Sequence, residues 1–261
     1  MNLIPLITQN GLYFLLVLTR VSGIFTTLFI FRRDYLPARI LLVFSLTLSL
    51  MVVISQPTGQ FPDANYINLP FAIITQLIVG LTIGFIINIF SEIFLSTGQF
   101  ISTQMGLGFI NFFVPKVGSI TPVSQFLLIL SFLIFFNMNA HLLLIKIIVD
   151  SFEVKVNLWS ALNREAFLEV MLYTKELFSA TFMLSLSVMI CILITNISVA
   201  FMTKFSPQLN LFSIGINLSL IIGFFLLYLI FDNLMNQGGI LLKEVMAFAA
   251  RILMAFTIQR I

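Results

Sequence analysis

Chemistry needs side chains that take up charge or attack a substrate, and this sequence has few. Its one histidine, His141, follows Asn137 and Asn139. In a membrane segment, an imidazole with two carboxamides at this spacing points to a proton or substrate relay. The plainer reading is hydrogen bonding between helices by buried polar groups. No carboxylate lies close in sequence to orient the ring, which favours the plainer reading. Arg20 interrupts the first apolar run, where a charge at bilayer centre costs about 2.5–3.5 kcal/mol even on the gentler insertion scale. It either pairs with a partner subunit or lines a water-filled path, or else it snorkels or sits at a helix end. Glu92 is its candidate partner or a marker of the membrane interface. One cysteine, Cys191, excludes an internal disulfide, and one histidine with one cysteine excludes the usual His/Cys metal sites. No Gly-x-Ser-x-Gly elbow, metal-spaced histidine pair or phosphate loop is present, so neither an enzyme nor a cofactor is expected.

The elements that position these residues follow from composition. The chain has 261 residues, 60% hydrophobic and 9% charged, against about 25% charged in a soluble domain. So few charges cannot cover a soluble surface, and an integral membrane protein is expected. A dispersed net charge of +3 gives no clustered basic patch, so no nucleic acid is expected as a partner. No Lys or Arg precedes Arg20, so the first residues are not read as a secretory signal. Residues 1–261 read as one domain.

Charges and turn residues divide the chain. Apolar runs cover Gly11 to Phe31 and Ile40 to Ser55, separated by a basic turn from Arg32 to Arg39. An uncharged run from Ala64 to Ser91 has its helix starting near Pro70, and Glu92 closes it. Gly80 and Gly84 form a small-xxx-small pair for close helix packing. Val117 to Ile145 is uncharged, with a break or re-entrant turn expected around Asn137 to His141. Lys146 to Glu176 is the most polar region; Trp159 reads as an interfacial residue and Ser160 as the cap of a short helix through Lys175. Leu177 to Thr203 and Phe205 to Phe231 are apolar. Gln237-Gly238-Gly239 reads as a break, and Ile240 to Ile261 as a last, separate helix. These runs are too long for barrel strands and lack dyad alternation. The fold class is all-α, a polytopic membrane protein of about six long hydrophobic helices plus a C-terminal helix. Alternation with the N-terminus outside leaves Arg32, Arg33, Arg39, Lys116 and Lys204 inside, and Lys146, Lys155, Arg164, Lys175, Lys243, Arg251 and Arg260 outside. That fails a positive-inside count, so a helix pair is a non-crossing hairpin or the protein is not an ordinary bilayer spanner.

Between these helices lies Gly98 to Pro122, with four glycines, two prolines and also Phe109, Phe112 and Phe113. Turn residues usually keep polar company; here they keep aromatic company, so a loop with a hydrophobic task is expected.

Three stretches in order resemble the FliR/SctT family of type III secretion export-gate membrane proteins. They are Arg20-Val-Ser-Gly-Ile-Phe25 with Leu36-Pro-Ala-Arg-Ile40; Gly98-Gln-Phe-Ile-Ser-Thr-Gln-Met-Gly106, continuing through Pro115 and Pro122 to Asn139-Ala-His141 and Asp150-Ser-Phe152; and Ser206-Pro-Gln-Leu-Asn-Leu-Phe-Ser-Ile-Gly215. The chain departs from the family pattern at Val114, where an acid is usual, at Ala140, where glycine is usual, and after Phe152, where a proline is common. The resemblance implies a non-catalytic subunit in the bacterial inner membrane, at the flagellar basal body or a secretion-system base. It implies FliP-like and FliQ-like membrane subunits as neighbours, FlhB-like and FlhA-like export components beyond them, membrane lipid around them, and unfolded export substrates as cargo. Helical hairpins standing partly out of the bilayer, also implied by the resemblance, account for the failed charge count.

On this reading the central loop is a plug. A pore wide enough for an unfolded chain leaks ions unless a hydrophobic constriction dewets it. Met105, Phe109, Ile110, Phe112, Phe113 and Val114 supply that constriction, with Gly106, Gly108 and Gly118 as hinges. Packing of these aromatics onto neighbouring helices is the competing reading. A small-solute membrane transporter or channel is the rival function; it predicts a midplane site, internal repeats and paired intramembrane charges, of which only Arg20 and His141 are candidates.

Overall fold

In hydrocarbon no water satisfies backbone N–H and C=O groups, so a long apolar run closes its own hydrogen bonds as a helix. A computed structural model describes residues 3–31, 36–55, 69–107, 120–152, 164–205 and 211–256. Among the described residues there are seven α-helices and no strand: α1 (Leu3–Thr27), α2 (Ala38–Ser55), α3 (Leu69–Gln104), α4 (Pro122–Asn137), α5 (Ala140–Asp150), α6 (Arg164–Phe205) and α7 (Leu211–Ala255). A short 3-10 turn, Phe29–Phe31, follows α1. The protein is an all-α polytopic membrane protein: α2, α3, α6 and α7 are each long and apolar enough to cross a bilayer, and the α4–α5 pair supplies a fifth span if counted as one. Many serine and threonine hydroxyls inside the helices bond back to the preceding turn, as Thr75 does to the Phe71 carbonyl at 2.8 Å and Thr97 to that of Ile93 at 2.7 Å, and these need no outside partner.

Local chemistry sets the helix ends. Pro70 sits in the first turn of α3, where its missing N–H costs nothing. Thr121 caps α4, accepting from the Ser124 N–H, and Pro122 opens the helix. At the end of α4 the Met138 N–H still reaches the Ile134 carbonyl, but Asn139 turns left-handed at φ 55°. Asparagine tolerates that conformation better than most residues, and the expected break between Asn137 and His141 is there.

Three boundaries differ from the sequence reading. Gly98 to Gln104 is helical, the last two turns of α3, rather than part of a loop. Lys175 and Glu176 do not separate two helices; α6 runs through them. Gln237-Gly238-Gly239 is no break either, since α7 continues to Ala255 and absorbs the expected separate tail helix. The glycines explain the first and last of these. A Cβ on Gly98 would lie 2.8 Å from the Ser124 nitrogen, and one on Gly238 would lie 2.6 Å from Ile134 Cδ1 and 2.7 Å from Phe94 Cζ. Their small size serves packing inside a helix, at an intrinsic cost of about 1 kcal/mol each.

The contacts gather into two units. The first comprises residues 1–89, 139–173 and 243–261; the second comprises residues 90–138 and 174–242. In the first, α2 packs on α1, turning Ser45, Ser49 and Val52 inward and most of its other side chains outward. Phe31 meets Phe25 and Phe44 in tilted ring contacts, and Tyr173 stacks over Phe248 at 3.8 Å. In the second, Ile101, Met105, Val123, Val188, Ile192 and Leu227 form a core cluster, with Phe100 stacked on Phe182 nearby.

Candidate functional site

Two places in the molecule gather the residues singled out by sequence, one in each unit. In the first unit α1 and α3 meet over three glycines. A Cβ on Gly80 would run into the Arg20 carbonyl, one on Gly84 would lie 2.6 Å from the Ile24 carbonyl oxygen, and one on Gly23 would lie 3.3 Å from the Leu77 oxygen. Backbones approach this closely only where side chains vanish. Gly23 entered the sequence reading only within the Arg20-Val-Ser-Gly-Ile-Phe25 stretch, without a packing role.

The crossing encloses Arg20 completely. Its Nε donates to Gln76 Oε1 at 2.7 Å. Its Nη1 donates to the Ser151 carbonyl and, at 3.2 Å, to Ser151 Oγ. Its guanidinium carbon lies 4.5 Å from the centre of the Phe152 ring. Nη2 has no hydrogen-bond partner among the described residues. Arg20 therefore neither snorkels nor caps a helix end. It ties α1 to α3 and to the turn after α5, using acceptors that are neutral, and none of them is Glu92. Burying a cation without a carboxylate is costly; the planar fork and the aromatic face soften that cost. Gln76 had a readable signal, since it stands one helical turn before Gly80 and shares its face. Ser151 and Phe152 had one only in the Asp150-Ser-Phe152 motif.

The other sequence candidates scatter. Glu92 is half-buried within α3, Asn137 is exposed, and His141 is half-buried in the first turn of α5. Asn139 is exposed, and its side chain makes no capping bond to α5. Cys191 is exposed on α6. Among the described residues no group of three or more His, Cys, Asp or Glu side chains gathers to hold a metal ion.

The second place is the end of α3, where the central stretch leaves the helix. Met105, counted with the plug residues by sequence, is fully buried, and a Cβ on Gly223 would lie 2.6–2.8 Å from its side chain. It belongs to the core cluster and not to an exposed constriction. Gly106 follows with φ +83°, a conformation that side chains other than glycine's strain to adopt. Gly108, Phe109, Ile110, Phe112, Phe113, Val114 and Gly118 lie outside the described residues. Sequence reading missed what stands opposite Gly106: Ile216 on α7, and a pair of polar side chains, Ser219 and Asn196, joined at 2.6 Å.

Residues 12–245 match the family described as bacterial export proteins, family 1. The chain is 29% identical over 232 residues to the flagellar biosynthetic protein FliR of Buchnera aphidicola subsp. Schizaphis graminum, covering 84% of this chain and 88% of that protein. It is 29% identical over 207 residues to the FliR of Escherichia coli strain K12, covering 79% of each. Against the FliR of Bacillus subtilis strain 168 it is 29% identical over 220 residues, covering 82% of this chain and 84% of the other.

Proposed function

This chain belongs to the bacterial export proteins, family 1, and from that premise we propose that it is a subunit of the flagellar protein export gate and not an enzyme. It works in the bacterial inner membrane. FliP-like and FliQ-like subunits complete a pore with it for unfolded substrates, and FlhB-like and FlhA-like components deliver the cargo.

The observation that carries the need for such neighbours is the surface of α6. Large apolar side chains stand exposed along its length, from Phe167 and Met171 through Phe178 and Met183 to Phe201 and Phe205. At about 1.5 Å per residue these exposed positions, which lie on more than one side of the helix, span about 57 Å. A hydrocarbon core of about 30 Å, crossed at the steep end of usual helix tilts near 40°, covers only about 39 Å of it. The remainder is the start of α6, where Phe167, Leu168, Met171 and Leu172 stand exposed among Glu169, Lys175 and Glu176; bulky apolar side chains outside the span call for a protein cover. Helical subunits as apolar as this one supply it.

Within that gate the central loop is the seal. Phe109, Ile110, Phe112, Phe113 and Val114 form its hydrophobic constriction. Met105, locked against Gly223, anchors its base, and Gly106, Gly108 and Gly118 give it freedom to move aside. Purification in mild detergent is expected to bring FliP-like and FliQ-like subunits down with the chain; a monomer that carries a small solute would overturn the gate. Deleting Phe109 to Val114 is expected to raise ion leakage through the assembled gate, and an unchanged conductance would overturn the seal.

A further inference from the structure

In the second unit a cavity of about 350 Å³ opens between the last turn of α3, the last turns of α6 and the first turns of α7. It lies beside the core cluster and at the foot of the central loop. Its walls carry Gln104 from α3, Asn196 from α6 and Ser219 from α7, and none of the described residues lining it is charged. Ser219 is buried and donates to Asn196 Oδ1 at 2.6 Å, which fixes that carboxamide in place. The NH2 of Asn196 and the whole carboxamide of Gln104 make no hydrogen bond among the described residues. Thr103, by contrast, satisfies itself on the Gln99 carbonyl at 2.7 Å. Gly106 and Gly215 also line the cavity, where they face the side chains of Ile216 and Val199.

A neutral cavity with one fixed carboxamide, Asn196, and one free to turn, Gln104, selects a neutral ligand. A metal ion or a phosphate would find no compensating charge, and a purely apolar group would strand the amide donors. A carboxamide offers the same donor and acceptor as a peptide bond. It can therefore pair with a main chain whatever the side chains are, which suits cargo of many sequences.

We propose that this cavity binds the main chain of an unfolded export substrate, with Gln104 and Asn196 as its hydrogen-bonding walls. The proposal rests on the export-gate reading and adds a binding step at the foot of the seal. It is tested in cells holding the full export complex, with a substrate stalled by a fused domain that resists unfolding. A photoreactive phenylalanine analogue is placed at Ala200, which also lines the cavity, at Asn196, and in a separate strain at Phe112. Substrate adducts at Ala200 or Asn196 are expected. Adducts at Phe112 alone would overturn the cavity proposal and leave the pore standing. Adducts at none of the three positions, in a complex that still recovers its partners, would take away the pore as well. Adducts from the cavity to a neighbouring subunit alone would assign it to assembly and overturn the proposal. In the same strain background, Asn196→Leu is expected to lower the export rate about fivefold, the worth of one hydrogen bond, with partner recovery unchanged. Asn196→Gln should restore part of that loss. Export by Asn196→Leu at the full rate would overturn the proposal even if adducts form, since the carboxamide would then do nothing for transport.

Discussion

The α1–α3 crossing and the α6 face are built from similar residues and end differently. At the crossing, Gly23, Gly80 and Gly84 bring two backbones into contact, and Val17, Arg20, Val21, Ile24 and Phe25 are fully buried. Along α6, Met183 is 77% exposed and Phe205 80% exposed. The first surface is finished within the chain, and its energy is spent on holding one arrangement. The second is left open, and in a membrane protein apolar side chains alone do not say whether lipid or protein closes it. On the export-gate reading, length separates them, because a bilayer has a fixed thickness and Phe167 to Met171 stand beyond the uncharged run from Leu177 to Thr203. The general lesson is that small residues mark the contacts a membrane chain makes with itself, while bulky exposed ones in excess of a span mark what it leaves to others.

That contrast can be broken by substitution. The largest effect is expected from Gly80→Leu, which drives a side chain into the Arg20 carbonyl and destabilises the complex by about 3 kcal/mol, the upper range for overpacking. A thermal unfolding curve of the purified complex reads it, and an unshifted curve would mean that the crossing is looser than described. Arg20→Met is expected to cost about 2 kcal/mol, because Gln76 is left buried without its donor. Adding Gln76→Leu should recover part of that loss, since removing both partners is cheaper than removing one; strict additivity of the two changes would separate Gln76 from Arg20. The smallest shift is expected from Met183→Ser on the open face, within about 0.5 kcal/mol for the chain's own unfolding. The same change should lower recovery of FliP-like and FliQ-like subunits. Full recovery would show that Met183 faces lipid.

The all-α class, the span-length helices, the start of α3 at Pro70 and the break at Asn139 were legible in the sequence, because each depends on a local run or a single residue's backbone preference. What stayed hidden was what non-local contact decides. Gly98 and Gly238 read as loop signals, yet each is a notch for a residue far along the chain, Ser124 in one case and Phe94 in the other. Lys175 and Glu176 read as a boundary, but two exposed charges do not end a helix whose backbone bonds remain closed. Arg20 announced itself by its cost. Its acceptors carried only faint signals, Gln76 by sharing a helix face with Gly80 and Ser151 by its place in the Asp150-Ser-Phe152 stretch, and neither said that it pairs with Arg20. Met105 was grouped with its neighbours in sequence, although the geometry turns it into the core. The Asn196–Ser219 pair carried no motif at all.

The tie from Arg20 to Ser151 spans 131 residues, and its length matters during synthesis. At about 5–20 residues per second, α1 leaves the ribosome roughly ten seconds before its acceptor exists. Gln76, 56 residues on, is made well before Ser151, so the two acceptors of the guanidinium arrive in order. The first helix made is therefore among the last to be locked, and the turn after α5 is the latch.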